Sequence, residues 1–280
     1  MPKTVGIPAY NEGKSIKKTI LAILPQLEPD DEILVIASAC TDDTVSQIQS
    51  VNDNRIYIVE ENKRTGKVTA INKIMRMAKN EIIIMIDADV IIDNHAIAII
   101  ENTLKEENVG ATCGKIVSYR LKTFFDKIQN AGWIALNDQK IAENKLNTFW
   151  ALNGYLVGVK KSIAPQIDTK FLLDDALVGW LIKKKGYKVV YQPKAVSYVL
   201  AVQNISDFIK QKARNRIGWW QLTQEGMKIS ERRNLGQLKY VFTNFYTIFY
   251  IILDLIAWIK AWWDFKHNRT YWEKIESSKI

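Results

Sequence analysis

The most constraining feature of the sequence is the run Glu81 to Asp87, EIIIMID, which is followed directly by Ala88-Asp89. The run is nearly continuous in apolar character and rich in β-branched residues. It therefore reads as a central strand buried on both faces, because a half-exposed strand would alternate apolar with polar residues. Such a strand needs neighbours of its own kind and helices above and below. Short apolar runs at Lys3 to Ile7, Glu32 to Ala37 and Arg55 to Glu60 supply the neighbours. Helix-period segments at Gly13 to Leu24, Asp42 to Gln49 and Lys67 to Ala78 alternate with them. This pattern predicts an α/β fold with a mostly parallel sheet flanked by helices. In such sheets ligands bind beyond the carboxyl ends of the strands.

Further along, a helix is expected near Asn94 to Glu107 and a strand at Gly110 to Ser118. A helical stretch follows at Thr123 to Asn144, then a strand at Asn153 to Val159. The next helix, Asp175 to Lys185, ends at Gly186, a helix-stop residue. Strand-like segments surround Val189 and Val196, and from Ile205 the pattern is wholly helical. A division near Gln203 is expected, with an α/β catalytic domain at 1–203 and a helical region at 204–280. Neither an internal repeat nor a low-complexity linker interrupts the chain.

With 280 residues, 48% of them hydrophobic, the chain can bury a substantial core without staples. Its two cysteines, Cys40 and Cys113, form no zinc or disulfide framework, which points to a reducing, cytosolic face. The opening MPKTVGIPAYNE predicts no secretory signal. The net charge of +9 is uneven. Residues 204–280 carry 13 Lys and Arg against 7 Asp and Glu, and the rest carry 26 against 23. Basic surface attracts nucleic acid, anionic lipid and diphosphates alike. A nucleic-acid-binding protein is the rival reading outside enzymes. The first half lacks the interleaved basic and aromatic residues it would need, so no nucleic-acid partner is expected. A dinucleotide-dependent oxidoreductase is disfavoured, since no G-x-G-x-x-G follows the first strand.

Asp87-Ala88-Asp89 places two carboxylates at the rim of the sheet, close enough to share Mg2+ or Mn2+. Such an ion bridges a diphosphate and offsets charge on a leaving group. The same two acids also suit an ordinary turn. Pro8-Ala9-Tyr10-Asn11-Glu12 follows the first strand and Thr41-Asp42-Asp43-Thr44 the second, so both bring polar groups to that rim. Arg64-Thr65-Gly66-Lys67 opens a helix that runs past Asn72, and Asp174-Asp175 precede an apolar helix. Asp42, Lys67 and the Asp174-Asp175 pair could each simply serve a helix start.

Taken in order, these segments resemble the inverting family 2 glycosyltransferases of GT-A fold, whose pattern reads P-x-Y-N-E, S-T-D-x-T, G-K-x-x-A-x-N and D-A-D. The likeness continues through Asp174-Asp175, G-Y-K-V-V-Y-x-P and Gln211-x-x-Arg214, covering about residues 3–220. It implies a donor pocket for a UDP- or GDP-sugar lined by Pro8, Tyr10 and Glu12, with Asp42 and Lys67 nearby. Asp87 would contact ribose or metal and Asp89 the metal. Of Asp174 and Asp175, the second would be the catalytic base, taking the acceptor hydroxyl's proton as that oxygen attacks the anomeric carbon. Gln211 and Arg214 would hold the diphosphate. Asn153-Gly154-Tyr155 would lie near the acceptor, with Trp150 stacking on a sugar ring.

Two departures stand out. Family members often place a base-reading acid before S-T-D, where this chain has Ala37-Ser38-Ala39-Cys40. Asn215 stands where processive synthases have Trp in Q-x-x-R-W, and Trp219-Trp220 arrive four residues later. Transfer of one sugar is therefore expected rather than polymerisation.

The segment Tyr240 to Trp263 is apolar and long enough to cross a bilayer. Yet Gln237, Tyr240, Asn244, Thr247 and Asp254 fall on one helical stripe. A helix of this kind lies in the membrane interface or packs its stripe against the protein. Trp262, Trp263, Tyr271, Trp272, Lys260, Lys266 and Arg269 suit the headgroup zone and favour a monotopic anchor. The expectation is an enzyme on the cytoplasmic face of a membrane, peripheral or monotopic, acting on a lipid or lipid-linked glycan acceptor. A soluble glycan or protein acceptor is the alternative, and the oligomeric state is left open.

Overall fold

In the computed structural model, residues 1–227, 244–267 and 269 are described. The centre is an eight-stranded sheet of order β3-β2-β1-β4-β7-β6-β8-β5. Strands β1 (Lys3–Ala9), β2 (Glu32–Ser38), β3 (Ile56–Glu61) and β4 (Ile82–Ile86) pair in parallel. Helices α1 (Ile16–Ile23), α2 (Thr44–Gln49) and α3 (Lys67–Met77) connect them. The EIIIMID run is the strand expected of it. All of β4 is buried, with Ile82, Ile84 and Ile86 in one core cluster and Ile83 and Met85 in the other. Alternate side chains of one strand thus seed the packing on both sides of the sheet.

Past β4 the sheet becomes mixed. The short β5 (Val90–Ile92) leads to α4 (Ala96–Leu104), β6 (Val109–Ser118), α5 (Phe124–Lys145) and β7 (Leu156–Lys160). β7 runs antiparallel to both β4 and β6. Helix α6 (Asp174–Lys184) is followed by Gly186 at φ +91, the left-handed stop that glycine tolerates. The two segments expected around Val189 and Val196 are a single strand, β8 (Lys188–Val199). Its register against β6 jumps between Gln192 and Val196, and Pro193, which has no N–H to donate, lies in that gap. β5 escaped the sequence reading because three residues are too few to show a period.

Helix α7 (Ile205–Gln224) is capped by Asn204, whose Oδ1 accepts from the Asp207 amide at 2.8 Å. The last helix, α8 (Phe245–Lys266), packs on α5 and α7. Its buried face is Thr247, Tyr250, Ala257 and Ala261, and Asp254 on the same side bonds Arg216 of α7 at 2.7 Å. Thr247 and Asp254 of the polar stripe therefore face the protein. The outer face is apolar and open, with Leu255 59% and Ile259 56% exposed. Of the stripe and headgroup residues, Gln237, Tyr240, Tyr271 and Trp272 lie outside the described residues.

Candidate active site

One large cavity, about 780 Å³, opens at the carboxyl ends of β1, β2 and β4. The chain reaches it repeatedly because each parallel strand ends there and must turn away. β1 delivers Pro8, Tyr10 and Glu12, and β4 delivers Asp87 and Asp89. The first residue of α3 is Lys67, and the first turn of α6 holds Asp174 and Asp175. Asn153, Gly154, Gln211 and Arg214 complete this set on the cavity wall.

Electrostatics dominate the floor. Lys67 Nζ lies 2.6 Å from Asp87 Oδ1. Burial alone would weaken its charge, but Asp87, Asp174 and Asp175 outweigh burial and hold the ammonium charged. The Asp89 carboxyl is pushed up to about 7, first by burial and then by the charges of Asp87 and Glu12. Burial likewise raises Asp174, and it raises Asp175, where the neighbouring Asp174 adds to the effect. Burial weakens the Arg214 cation, while Tyr155 and the acids Asp174, Asp87 and Asp175 support it. Carboxylates that crowd one another in this way are relieved by a cation.

Among the described residues, no three His, Cys, Asp or Glu side chains converge as a preformed metal site. Two carboxylates fit Mg2+ or Mn2+ all the same, because such ions are usually held by one or two carboxylates together with substrate phosphates and water.

Asp175 Oδ1 accepts from the Ala176 amide at 2.7 Å. A Cβ built on Gly154 would stand 3.6 Å from both Asp175 Oδ2 and Lys67 Nζ. The candidate base and the basic group paired with Asp87 thus flank one point on the wall. Asn153 is 5% exposed, and its amide nitrogen donates to the Gly114 carbonyl at 2.8 Å. Its Oδ1 has no hydrogen-bond partner among the described residues, a buried acceptor open to a ligand. Gln211 is oriented by the Gln129 amide at 3.0 Å.

Two expected residues stand outside the wall. Asp42 is exposed, and its carboxylate accepts from the Gly13 and Thr44 amides at 3.1 and 3.0 Å, tying two rim loops together. Trp150 packs edge-on against Trp219, with ring centroids 5.8 Å apart, so Trp150 supports the wall and Trp219 lines it. Trp219 lies one helical turn beyond Asn215 on the same face of α7, and both reach the cavity. The wall also holds Tyr155, from the turn expected near the acceptor, and Arg64, Trp133, Lys140, Tyr250 and Asp254, which the sequence reading did not assign to a site. Arg64 lies 4.1 Å over the Tyr10 ring. Of the unassigned residues only Arg64 carried a signal, its place in the loop opening α3; the others depend on contacts between distant segments.

Solved structures of the same architecture include a mannosyltransferase of Pyrobaculum calidifontis in complex with GDP-Man and Mn2+. It superposes at TM-score 0.65 with 22% identity, covering 92% of this chain and 74% of that one. A glucosyl-3-phosphoglycerate synthase of Mycobacterium tuberculosis with Mg2+ and UDP gives 0.58 and 16%, covering 82% and 81%. The fold is that of the GT-A glycosyltransferases.

The sequence profile described as Glycosyl transferase family 2 matches residues 4–164, more than half of the chain. This protein belongs to that family. The poly-β-1,6-N-acetyl-D-glucosamine synthase of Staphylococcus aureus (strain COL) is 27% identical over 218 residues, which cover 74% of this chain and 52% of that protein. Its Staphylococcus epidermidis counterpart is 25% identical over 263 residues, covering 90% and 61%. The chain spans about half the length of the Staphylococcus aureus relative.

Proposed function

We propose that this glycosyltransferase moves a single sugar, with inversion, from a nucleotide-sugar donor to a glycan or lipid acceptor held at a membrane surface. The convergence at Gly154 carries the reading, because it sets Asp175 and the Lys67–Asp87 pair around one point. Asp87 and Asp89 would hold Mg2+ or Mn2+, which when bound neutralises diphosphate charge. Lys67 and Arg214 bring further positive charge to the leaving diphosphate. Asp175 takes the proton of the acceptor hydroxyl. The hydroxyl oxygen then bonds the anomeric carbon from the face opposite the departing diphosphate. Burial keeps that carboxylate more basic than a solvated Asp.

The acceptor side is lined by Trp133, Trp219 and Trp220, flat apolar faces suited to sugar rings, with the Asn153 oxygen available to a hydroxyl. The displaced aromatic of the late motif supports single transfer. The staphylococcal relatives are named as polymer synthases. Membrane residence is supported by the open face of α8, a 22-residue helix that includes an 18-residue stretch of mean hydropathy 1.5, and by Lys260 and Lys266 near its end.

The test is Asp175→Asn. Nucleotide-sugar binding with Mn2+ should stay near that of the unsubstituted protein while transfer is lost. Retained turnover would remove Asp175 from the base role.

A further inference from the structure

The loop from β6 to α5, residues 119–123, holds two large apolar side chains in the open, Tyr119 at 47% and Leu121 at 52% exposed. Phe124, the first residue of α5, is 47% exposed as well. A single exposed apolar residue needs no explanation, but a group so close in sequence forms a patch. The segment is not slack. The Tyr119 amide donates to the Val199 carbonyl at 2.8 Å, and the Lys122 and Thr123 amides donate to Asp126 Oδ2 at 3.0 and 2.8 Å. Arg120 Nη2 donates to Gln203 Oε1 at 3.1 Å. A loop fastened in this way holds its apolar side chains in water, an unfavourable arrangement that an apolar medium relieves.

The patch continues into the outer face of α8. The Phe124 ring packs edge-on against Phe249 and Tyr246, with centroids 5.1 and 5.8 Å away, and Phe245 beside Phe249 is exposed. Exposed side chains then follow along the helix through Ile252 and Leu255 to Ile259 and Trp263. Cations stand at both ends of this strip. Lys122 is exposed and Lys127 lies 5.5 Å over the Tyr246 ring at one end, and Lys266 lies 5.0 Å over Trp262 at the other. Asp126, the acid between Lys122 and Lys127, is buried. An apolar strip with aromatic rings and ammonium groups at its ends complements an anionic lipid surface, since the rings enter the acyl boundary while the ammoniums stay among the headgroups.

Strand direction supplies the orientation. β7 is antiparallel to both β4 and β6, so β6 runs the same way as β4. The carboxyl end of β6, from which residues 119–123 leave, therefore lies on the sheet edge where Asp87 and Asp89 emerge into the cavity. We propose that the β6–α5 loop is a second membrane contact, made by the catalytic domain itself, which together with α8 holds the cavity-bearing edge of the sheet beside an anionic bilayer. This inference rests on the membrane reading given above and adds to it a defined orientation of the site.

The experiment is flotation of the full chain with vesicles of phosphatidylcholine alone and of phosphatidylcholine mixed with phosphatidylglycerol. Tyr119→Ser with Leu121→Ser should weaken binding to the mixed vesicles about tenfold, with Tm and nucleoside diphosphate binding unchanged, because neither side chain lines the cavity. Lys122→Glu should weaken binding to the mixed vesicles and not to phosphatidylcholine alone, since only the charged surface attracts the ammonium. Undiminished binding of the Tyr119 and Leu121 variant overturns the loop contact and leaves α8 as the anchor. A lipid-free dimer in sedimentation velocity that the same variant dissociates also overturns it, because the patch then meets a second copy of the chain. If the unsubstituted protein floats with neither vesicle, the membrane reading itself fails and removes this inference with it.

Discussion

Asp89→Asn should make the metal-free protein more stable while removing its response to metal. The folded carboxyl titrates at about 7 against an ordinary 3.8, with burial the main cause and Asp87 and Glu12 adding to it. A folded value raised in this way costs nothing below about pH 4, where the group is protonated in both states. The cost grows as pH rises toward 7 and is complete above it. A difference of roughly three pH units corresponds to about 4 kcal/mol. Asp89 is only half-buried, and solvent screening brings the expected effect to about 2 kcal/mol. Asparagine keeps the shape and never ionises, so at pH 8 in chelator the variant should melt about 5 °C higher. At pH 4 the two melting curves should nearly coincide. Adding Mn2+ with nucleoside diphosphate should raise the Tm of the unsubstituted protein and leave the variant almost unmoved, since only the native metal-binding form gains. An equal or lower Tm for the variant at pH 8, or the same metal response in both proteins, would refute the reasoning.

Three further outcomes are expected. Transfer should fall on the acid side with a midpoint well above the ordinary Asp range of ~3.9, because burial and Asp174 raise Asp175 and a base must be ionised; a pH profile of kcat/KM with a limb below 4 would contradict it. Gly132→Ala should loosen α8 although the same change commonly stabilises a helix interior by about 1 kcal/mol, because its Cβ would lie 2.2 Å from the buried Tyr250 ring. Limited proteolysis should then cut α8 ahead of the catalytic domain, and an unchanged pattern would show the contact to be unimportant. Leu255→Glu with Ile259→Glu should reduce binding to anionic vesicles at least tenfold with no loss of Tm, since both side chains face outward; unaltered vesicle binding would exclude α8 as the anchor.

What the sequence revealed about the fold followed from local signals with enough residues to average. β4 is buried throughout, so its composition alone carried the message, and the carboxylates at its end had to emerge at the rim. The rim residues Pro8, Tyr10, Glu12 and Lys67 were legible for the same reason: each lies next to a strand end or helix start that the periodicity had fixed. Asp42 sits at such a boundary too, but its carboxylate is engaged by the Gly13 and Thr44 amides, a local competition that chain position does not reveal. Trp150 marks a different failure. Which of two tryptophans covers the other is decided by the meeting of a loop with α7, across 69 residues.

The C-terminal helix shows why the rest was hidden. Periodicity exposed the polar stripe, yet a stripe has the same spacing whether it meets water or protein. Its burial is decided by Arg216, which bonds Asp254 from 38 residues away, and by Lys212, which donates to the Tyr250 hydroxyl at 2.9 Å. Those basic residues share α7 with Gln211 and Arg214, so a helix that lines the cavity also fastens α8. Tyr250 and Asp254 consequently enter the cavity wall from a segment that reads, in isolation, only as an anchor. The same helix turns its bare apolar face outward, so one element carries cavity wall on one side and an open apolar surface on the other.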